Sequence, residues 1–268
     1  MKNRMHSRKA THTIAALIVC AFLVITAPTA NGTFDSKRDL PEAEFHLARM
    51  IYRTRGGGGS HGFFQPWWAI DYPYAEEHFL PALRRMTKLS VADDSRHLEV
   101  TDDRIFDYPF LFMQQPGRGQ WNPNPREAER LREYLLRGGF LFVDDLHGEY
   151  DWSIFESSMR RVFPDRPIVD VPPDDTIMHV FFDISQGAQI PGKRHLRRTY
   201  GGQIVAQMEG PQRWRGIYDD ENRLMVIINF NMDTGDAWEH ADDPEYPVPM
   251  TALAYQIGAN YVIYSMTH

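Results

Sequence analysis

Cysteine is nearly absent from this sequence of 268 residues, which has a single one at Cys20. Past residue 20 the chain has no thiol group at all. If the first 30 residues are removed as a leader, the mature protein cannot form a disulfide bond, a thiolate metal site or a cysteine nucleophile. All three kinds of cysteine chemistry are therefore excluded in the mature protein, although an oxidising compartment would permit disulfides.

The N-terminus also lacks a hydrophobic run long enough for a comfortable membrane span. Its apolar run, Ile14 to Ala27, follows four basic residues between positions 2 and 9 and ends in small residues up to Ala30. This order predicts a secretory signal peptide over residues 1–30, cleaved near Ala30. An uncleaved N-terminal anchor is the alternative, and both alternatives export the remainder, to the periplasm or to a membrane-associated position.

Basic side chains are outnumbered, with 29 Lys and Arg against 36 Asp and Glu, for a net charge of −7. Cleavage after residue 30 removes four basic and no acidic side chains, which moves the charge to −11. Such an acidic balance argues against nucleic-acid binding, and membrane contact is expected only through an uncleaved leader. Residues 31–268 can bury a sizeable core and are predicted to form a single domain.

One glycine-rich stretch, GGGGSHG from Gly56 to Gly62, matches both G-x-G-x-x-G and G-x-S-x-G. Each motif requires a helix immediately afterwards. The next residues are FFQPWWAIDYP, whose prolines and paired tryptophans do not begin a helix. We therefore predict a loop whose aromatic residues, including the ligand-binding candidate Trp68, fold back as a lid or side wall.

The segment LREYLLRGGFLFVDDLHG, residues 131–148, predicts the end of an amphipathic helix, a two-glycine turn and a buried strand. Phe140–Val143 is continuously apolar, which is typical of a central parallel strand covered on both faces. Asp144, Asp145 and His147 follow at its carboxyl end, where open α/β sheets bind their ligands. These three are the candidate catalytic residues; the alternative is that the carboxylates form a helix cap or turn and that His147 is a loop residue.

Hydrophobic periodicity and capping signals predict the elements around this strand. The predicted strands are Glu44–Tyr52, His97–Thr101, Tyr108–Met113 and Ile168–Val171, and the predicted helices are Tyr74–Lys88, Asn124–Arg137 and Ser153–Phe163. Asn124 and Glu127 form one predicted capping box and Ser153 and Glu156 another, and Gly138 ends the second helix. Alternating strands and helices predict a mostly parallel α/β sheet.

The C-terminal part adds a predicted hairpin of Gln212–Tyr218 and Leu224–Phe230, then a helix over Pro249–Thr267 that could instead be a helix followed by a strand. A second polar cluster follows the hairpin, and we expect it to meet the first cluster at one rim of the sheet. The ligand-binding candidates there are Asp233, Asp236 and Trp238, with Gln115 from the loop after Tyr108–Met113. The basic segment Pro191–Gly202 is predicted to be a solvated loop or, alternatively, an anion or partner contact.

Several of these segments together resemble the domain-of-unknown-function 4159 family. The matching pieces run in family order: GGGGSHGFFQPWW, LREYLLRGGFLFVDD, RRVFP, MHVFFDI, NMDTGDAWE and QIGANYVIYSMT. The resemblance implies a flavodoxin-like, three-layer sandwich of the class I glutamine amidotransferase-like kind, and no established activity. It also implies a cell-envelope assembly, because relatives are membrane-attached and associated with neighbours of the AAA ATPase and von Willebrand factor A types.

In catalytic amidotransferases of that class a nucleophilic cysteine follows the strand that corresponds to Phe140–Val143. Asp144 and Asp145 occupy that place here, so cysteine-based amidotransferase activity is not expected. Two functions remain: a module that binds a ligand or a partner, and a hydrolase that uses Asp144, Asp145 and His147 directly or through a divalent metal. The sequence identifies no cofactor.

The leader generates the first testable prediction. A tag at the C-terminus should be recovered outside the cytoplasm, and intact-mass measurement should find residues 1–30 absent from most molecules, because the charged, apolar and small-residue segments occur in the order of a cleaved signal. Membrane-bound protein that retains Met1 would instead identify an uncleaved anchor.

Overall fold

The computed structural model describes residues 43–55, 60–61 and 65–268. The predicted leader and most of the glycine loop therefore lie outside the described residues. Among the helices that the structure describes, none combines the length and hydrophobicity that crossing a bilayer requires.

The strands, in chain order, are β1 (Ala48–Ile51), β2 (Ser60–His61), β3 (Gln65–Pro66), β4 (Arg96–Glu99), β5 (Phe110–Gln114), β6 (Phe140–Leu146), β7 (Val169–Asp170), β8 (Leu196–Arg198), β9 (Ile204–Ala206), β10 (Arg213–Tyr218) and β11 (Leu224–Phe230). The helices are α1 (Tyr74–Thr87), α2 (Pro125–Leu136), α3 (Gly148–Val162), α4 (Thr234–Glu239) and α5 (Val248–Thr267).

Seven strands form the central sheet, in the order β4-β1-β5-β6-β11-β10-β7. The five strands from β4 to β11 pair in parallel, whereas β10 pairs antiparallel with both β11 and β7. Counted along the chain, the parallel strands have the spatial order 2-1-3-4-5 that is typical of flavodoxin-like folds. The predicted mostly parallel sheet with an added hairpin is confirmed.

The continuous apolar runs of β5 and β6 supply two separate hydrophobic layers, because successive side chains of a strand point to opposite faces. Phe110, Phe112, Phe140 and Phe142 belong to the layer shared with α1, α4 and α5. Leu111, Met113, Leu141 and Val143 belong to the layer shared with α2 and α3. Helices therefore cover both faces of the sheet, which gives the expected three-layer sandwich.

Helix α2 begins and ends as its sequence predicts. The Asn124 side chain accepts a hydrogen bond from the Glu127 amide at 3.0 Å, and the Glu127 carboxylate accepts one from the Asn124 amide at 2.8 Å. At the other end Gly138 has a φ of +107° and Gly139 donates to the Tyr134 carbonyl at 3.0 Å. This helix end directs the chain straight into the central strand β6.

The capping box predicted at Ser153 and Glu156 is wrong. Helix α3 begins five residues earlier, at Gly148, with His147 in the N-cap position, and the Ser153 hydroxyl donates to the Tyr150 carbonyl at 2.8 Å inside the helix. Strand β6 continues through Asp144 and Asp145 to Leu146, so it does not end where its apolar run ends. Strand and helix are thus joined by a tight turn, at which Gly148 has a φ of +71°.

Two other expectations are resolved in the C-terminal half. The predicted strand Ile168–Val171 is the two-residue β7 at the sheet edge, and β11, not β7, lies beside β6. The segment Pro249–Thr267 lies within one helix, α5. A Cβ atom at Gly258 would lie 2.6 Å from the rings of Phe79 and Trp238, so glycine is required by close packing of α5 and not by a break in it.

A fully buried ion pair joins β1 to α1. The Arg49 guanidinium donates to both carboxylate oxygens of Glu76, at 2.8 and 3.0 Å, and to the carbonyls of Trp68 and Ile70 at 3.2 and 2.8 Å. Side-chain exposure is 0% for Arg49 and 3% for Glu76. Removal of either charge would leave the other uncompensated in a medium of low polarity.

We therefore expect Glu76→Gln to lower the free energy of unfolding by about 3–5 kcal/mol, the typical cost of breaking a buried pair. Glu77→Gln is the matched control, because Glu77 is exposed on the same helical turn, and it should change stability by less than about 0.5 kcal/mol. Urea unfolding of both variants would measure the difference. Equal losses of stability in the two variants would show that the remaining hydrogen-bond partners of Arg49 compensate its charge without Glu76.

Candidate functional site

Three neighbouring parallel strands leave the sheet through residues in the left-handed backbone region. These residues are Gln115 after β5, Asp145 near the end of β6 and Asn231 after β11, with φ values of +48°, +58° and +56°. A non-glycine residue in this region costs roughly 1–2 kcal/mol, and such outliers cluster at functional sites. The ends are joined by hydrogen bonds from Gln115 to the Asp144 carbonyl at 3.1 Å and from Asn231 to the Leu146 carbonyl at 2.8 Å.

The two polar clusters predicted from the sequence come together at this edge. Asp145 and His147, from β6 and its turn, meet Asp233, which follows β11: the His147 Nε2 atom contacts Asp145 Oδ1 and lies 3.7 Å from Asp233 Oδ2. Their side chains are only 3–6% exposed. One ligand atom from each residue lies within 4.8 Å of the others, so this inner trio could hold one metal ion.

A second group of possible ligands lies on α4 and at its end. The His240 Nε2 atom is 3.6 Å from Asp236 Oδ1 and 3.7 Å from Glu239 Oε2. These three residues, the outer trio, also satisfy the 4.8 Å criterion and are more exposed than the inner trio. Asp233 connects the two trios, because its carboxylate accepts the Asp236 amide hydrogen at 3.2 Å.

A crevice of about 550 Å³ is bordered by every member of the two trios except His147. It is lined by Gln65, Ile70, Asp71, Gln115, Asp145, Lys193, Arg194, Asp233, Asp236, Glu239 and His240. The Gln115 side chain is 0% exposed, and neither its amide nitrogen nor its oxygen has a hydrogen-bond partner among the described residues. Buried amides are normally satisfied, so this one is available to a ligand.

Burial and mutual repulsion change the acidity of these groups. Burial, followed by the charges of Asp145 and Asp236, raises the pKa of Asp233 well above its usual range. Burial and the neighbouring Asp236 raise the pKa of Glu239 to about 7. Burial lowers the pKa of His147, but Asp145 and Asp233 outweigh it and raise that pKa to about 10. This edge therefore favours positive charge, which a protonated His147 or a bound cation would supply.

The basic segment Pro191–Gly202 is not simply a solvated loop. The Lys193 backbone N–H donates to the Asp236 carboxylate, and its ammonium group contacts Asp243. Arg194 Nη2 lies 3.9 Å from Asp145 Oδ1, and the His195 and His147 rings are 4.7 Å apart. The segment therefore forms the basic side of an otherwise acidic crevice.

Two predicted site residues are buried away from the crevice. The Asp144 carboxylate is turned towards α4, where it accepts the Gly235 amide hydrogen at 2.7 Å. Trp238 is 1% exposed and stacks on Phe79 with ring centroids 4.0 Å apart in the hydrophobic layer. Their contacts indicate structural roles, as strand alternation separates Asp144 from Asp145.

The two remaining predicted ligand-binding residues, Gln115 and Trp68, lie in different parts of the structure. Gln115 lines the crevice, whereas Trp68 is 6% exposed, packs in the layer with α2 and α3, and lies 5.2 Å from the His97 ring. Seven crevice residues were not among the predicted site residues: Gln65, Ile70, Asp71, Lys193, Arg194, Glu239 and His240. The cluster of basic residues was a signal for Lys193 and Arg194, and Glu239 and His240 directly follow the predicted residue Trp238, but nothing in the sequence distinguishes Asp71 from other loop carboxylates.

Comparison with protein families gives a match over residues 46–266 to the model described as "Domain of unknown function (DUF4159)". No curated protein matches the chain.

The crowding of carboxylates predicts an unusual substitution effect. Asp233→Asn should raise the metal-free free energy of unfolding by on the order of 1 kcal/mol, the usual gain from optimising a helix cap or a charge, because asparagine retains the N-cap bond and removes a carboxyl group whose ionised form Asp145 and Asp236 repel. Urea unfolding at neutral pH in a chelator would measure it.

Asp102→Asn is the control, and it should lower the free energy of unfolding where Asp233→Asn raises it. Asp102 also caps a helical turn, but the hydrogen bond from Arg104 lowers its pKa, so its charge is stabilising. A loss of stability in both variants would contradict the repulsion argument for Asp233.

Proposed function

This chain belongs to the DUF4159 family, and because that description assigns no activity, we propose its function from the crevice: a binding module that holds a divalent cation through Asp145, His147 and Asp233. The observation that carries this proposal is the convergence of these three buried side chains within 4.8 Å. Two carboxylates and one imidazole are a ligand set suited to Zn²⁺ or Mn²⁺.

The surroundings of the inner trio support the same proposal. A divalent cation would offset the repulsion that raises the pKa of Asp233. The ligands come from β6, its turn and the start of α4, so rigid elements fix their positions. Left-handed residues at the strand ends turn the chain at this edge, and such residues cluster at functional sites.

We also propose that the module works outside the cytoplasm, as part of a cell-envelope assembly. The leader pattern of residues 1–30 supports export. The family resemblance, with its AAA ATPase and von Willebrand factor A type neighbours, supports protein partners, and it also supports a class I glutamine amidotransferase-like origin of the sheet. Cysteine-based amidotransferase activity has no support, because residues 31–268 contain no cysteine.

A metal-dependent hydrolase is the second candidate. The observation that favours it is the position of Asp145, a left-handed residue at a strand-to-helix turn beside His147, which resembles the strained turn that presents the nucleophile in other α/β enzymes. Turnover of a nitrophenyl ester or phosphate that requires both Mn²⁺ and Asp145 would establish this candidate. Cation binding without turnover supports the binding module.

Cation binding is tested directly with chelator-stripped protein and calorimetric titration of Zn²⁺ and Mn²⁺. Wild type should bind one ion at the inner trio, and Asp145→Asn, His147→Ala and Asp233→Asn should each weaken binding by at least about tenfold, since even indirect partners of metal ligands commonly contribute that much. His179→Ala is the matched control, because His179 is exposed and bonded to the Pro173 carbonyl.

Asp236→Asn distinguishes the two trios. If this substitution abolishes binding and Asp233→Asn does not, the cation belongs to the outer trio and the inner assignment is wrong. If wild type binds neither ion, the proposed function fails.

A further inference from the structure

We infer that the ligand of this crevice has a phosphate or carboxylate group, held between the bound cation and the guanidinium group of Arg194. This inference rests on the proposed function, since it takes the cation at the inner trio as one of the two contacts. It identifies the chemical class of the ligand, which the cation site alone leaves open.

The first support is the attachment of the segment before Arg194 to the acidic edge. The Asp233 amide donates to the Ile190 carbonyl at 2.8 Å, and the Tyr246 hydroxyl donates to the Pro191 carbonyl at 2.6 Å. A Cβ atom at Gly192 would lie 2.4 Å from Asp233 Oδ2, so a larger residue there would displace that carboxylate. Arg194 is therefore held beside the inner trio and does not reach it from a distant loop.

The second support is the charge balance around Arg194. Its Nη2 atom lies 3.9 Å from Asp145 Oδ1, and 38% of its side chain is exposed to the crevice and solvent. A divalent cation at the inner trio would neutralise the two carboxylates, Asp145 and Asp233, and would leave the guanidinium group without a negative partner at that position. Guanidinium groups bind carboxylates and phosphates through paired, charge-assisted hydrogen bonds.

The third support is Gln115, which lines the same crevice. Its amide is fully buried, and both of its polar atoms lack partners among the described residues. An amide NH₂ group can donate to an oxyanion, and the amide oxygen can accept from a hydroxyl or amine of the same ligand. Gln115 and Arg194 thus provide donors from two different loops.

Asp236 and Glu239 also line the crevice. Their carboxylates, when ionised, repel an anionic group, which favours Arg194 and Gln115 as its contacts. Hydroxyl or ammonium groups elsewhere in the ligand would suit these carboxylates. The volume of about 550 Å³ lies within the common range for small-molecule sites, roughly 300–1,000 Å³.

The experiment measures the coupling between a cation and an oxyanion in the full protein. Mn²⁺ is titrated by calorimetry alone, with inorganic phosphate and with acetate, after correction for complexes that form in solution. In wild type, at least one oxyanion should tighten Mn²⁺ binding by about fivefold or more, and Mn²⁺ should tighten the binding of that oxyanion by the same factor. Coupling by phosphate alone identifies a phosphate ligand, coupling by acetate alone a carboxylate, and coupling by both an oxyanion of either kind.

Arg194→Ala should abolish this coupling and should raise the affinity for Mn²⁺ alone, because the removed guanidinium group repels the cation. Arg198→Ala is the matched control: Arg198 lies in the same basic segment, is exposed on β8 and donates to the Gly202 carbonyl at 3.1 Å. Its coupling should equal that of wild type. Circular dichroism would verify that both variants fold.

Failure of the proposed function can be distinguished from failure of this inference alone. Wild type that binds no Mn²⁺ overturns the proposed function and this inference together. Wild type that binds Mn²⁺ without any effect of phosphate or acetate, or an Arg194→Ala variant with undiminished coupling, overturns this inference alone.

Discussion

Electrostatic repulsion among buried carboxyl groups constrains the structure of the sheet edge at which the parallel strands end. Asp71, Asp145, Asp233, Asp236 and Glu239 line one crevice, and part of their compensation comes from neutral donors. The Gln114 amide contacts Asp71, the Lys193 backbone N–H contacts Asp236, and the Asp236 N–H contacts Asp233. Such donors stabilise individual carboxylates but do not cancel the charge of the group. Packing of the two hydrophobic layers must therefore offset the remaining repulsion among these carboxylates.

The predictable part of the fold is the part determined by local signals. The Asn124 and Glu127 capping box, the Gly138 helix end and the apolar run of β6 depend on residues a few positions apart, and each is present. The capping box at Ser153 has an equally good local pattern and is absent. There the tight turn after β6 begins the helix earlier, so tertiary structure overrides the local preference.

The candidate site was predictable to the extent that it follows strand ends. Asp145 and Asp233 follow apolar strands, and parallel strands of one sheet present their carboxyl ends to one edge. The same argument could not separate Asp144 from Asp145, because it does not specify which face each side chain occupies. Asp71 and Arg194 come from segments with no strand signal, and their positions depend on long-range contacts that a single sequence does not reveal.

The position of β6 in the middle of the sheet makes local opening of this strand slow. Strand β6 has β5 on one side and β11 on the other, and both neighbours are themselves interior strands. Amide hydrogens in such a strand exchange with solvent only when most of the protein unfolds, whereas short edge strands open locally. Residues 141–143, which are paired on both sides, are thus expected in the slowest-exchanging core, and the separate two-stranded sheet of β8 and β9 is where a ligand could enter by local fluctuation.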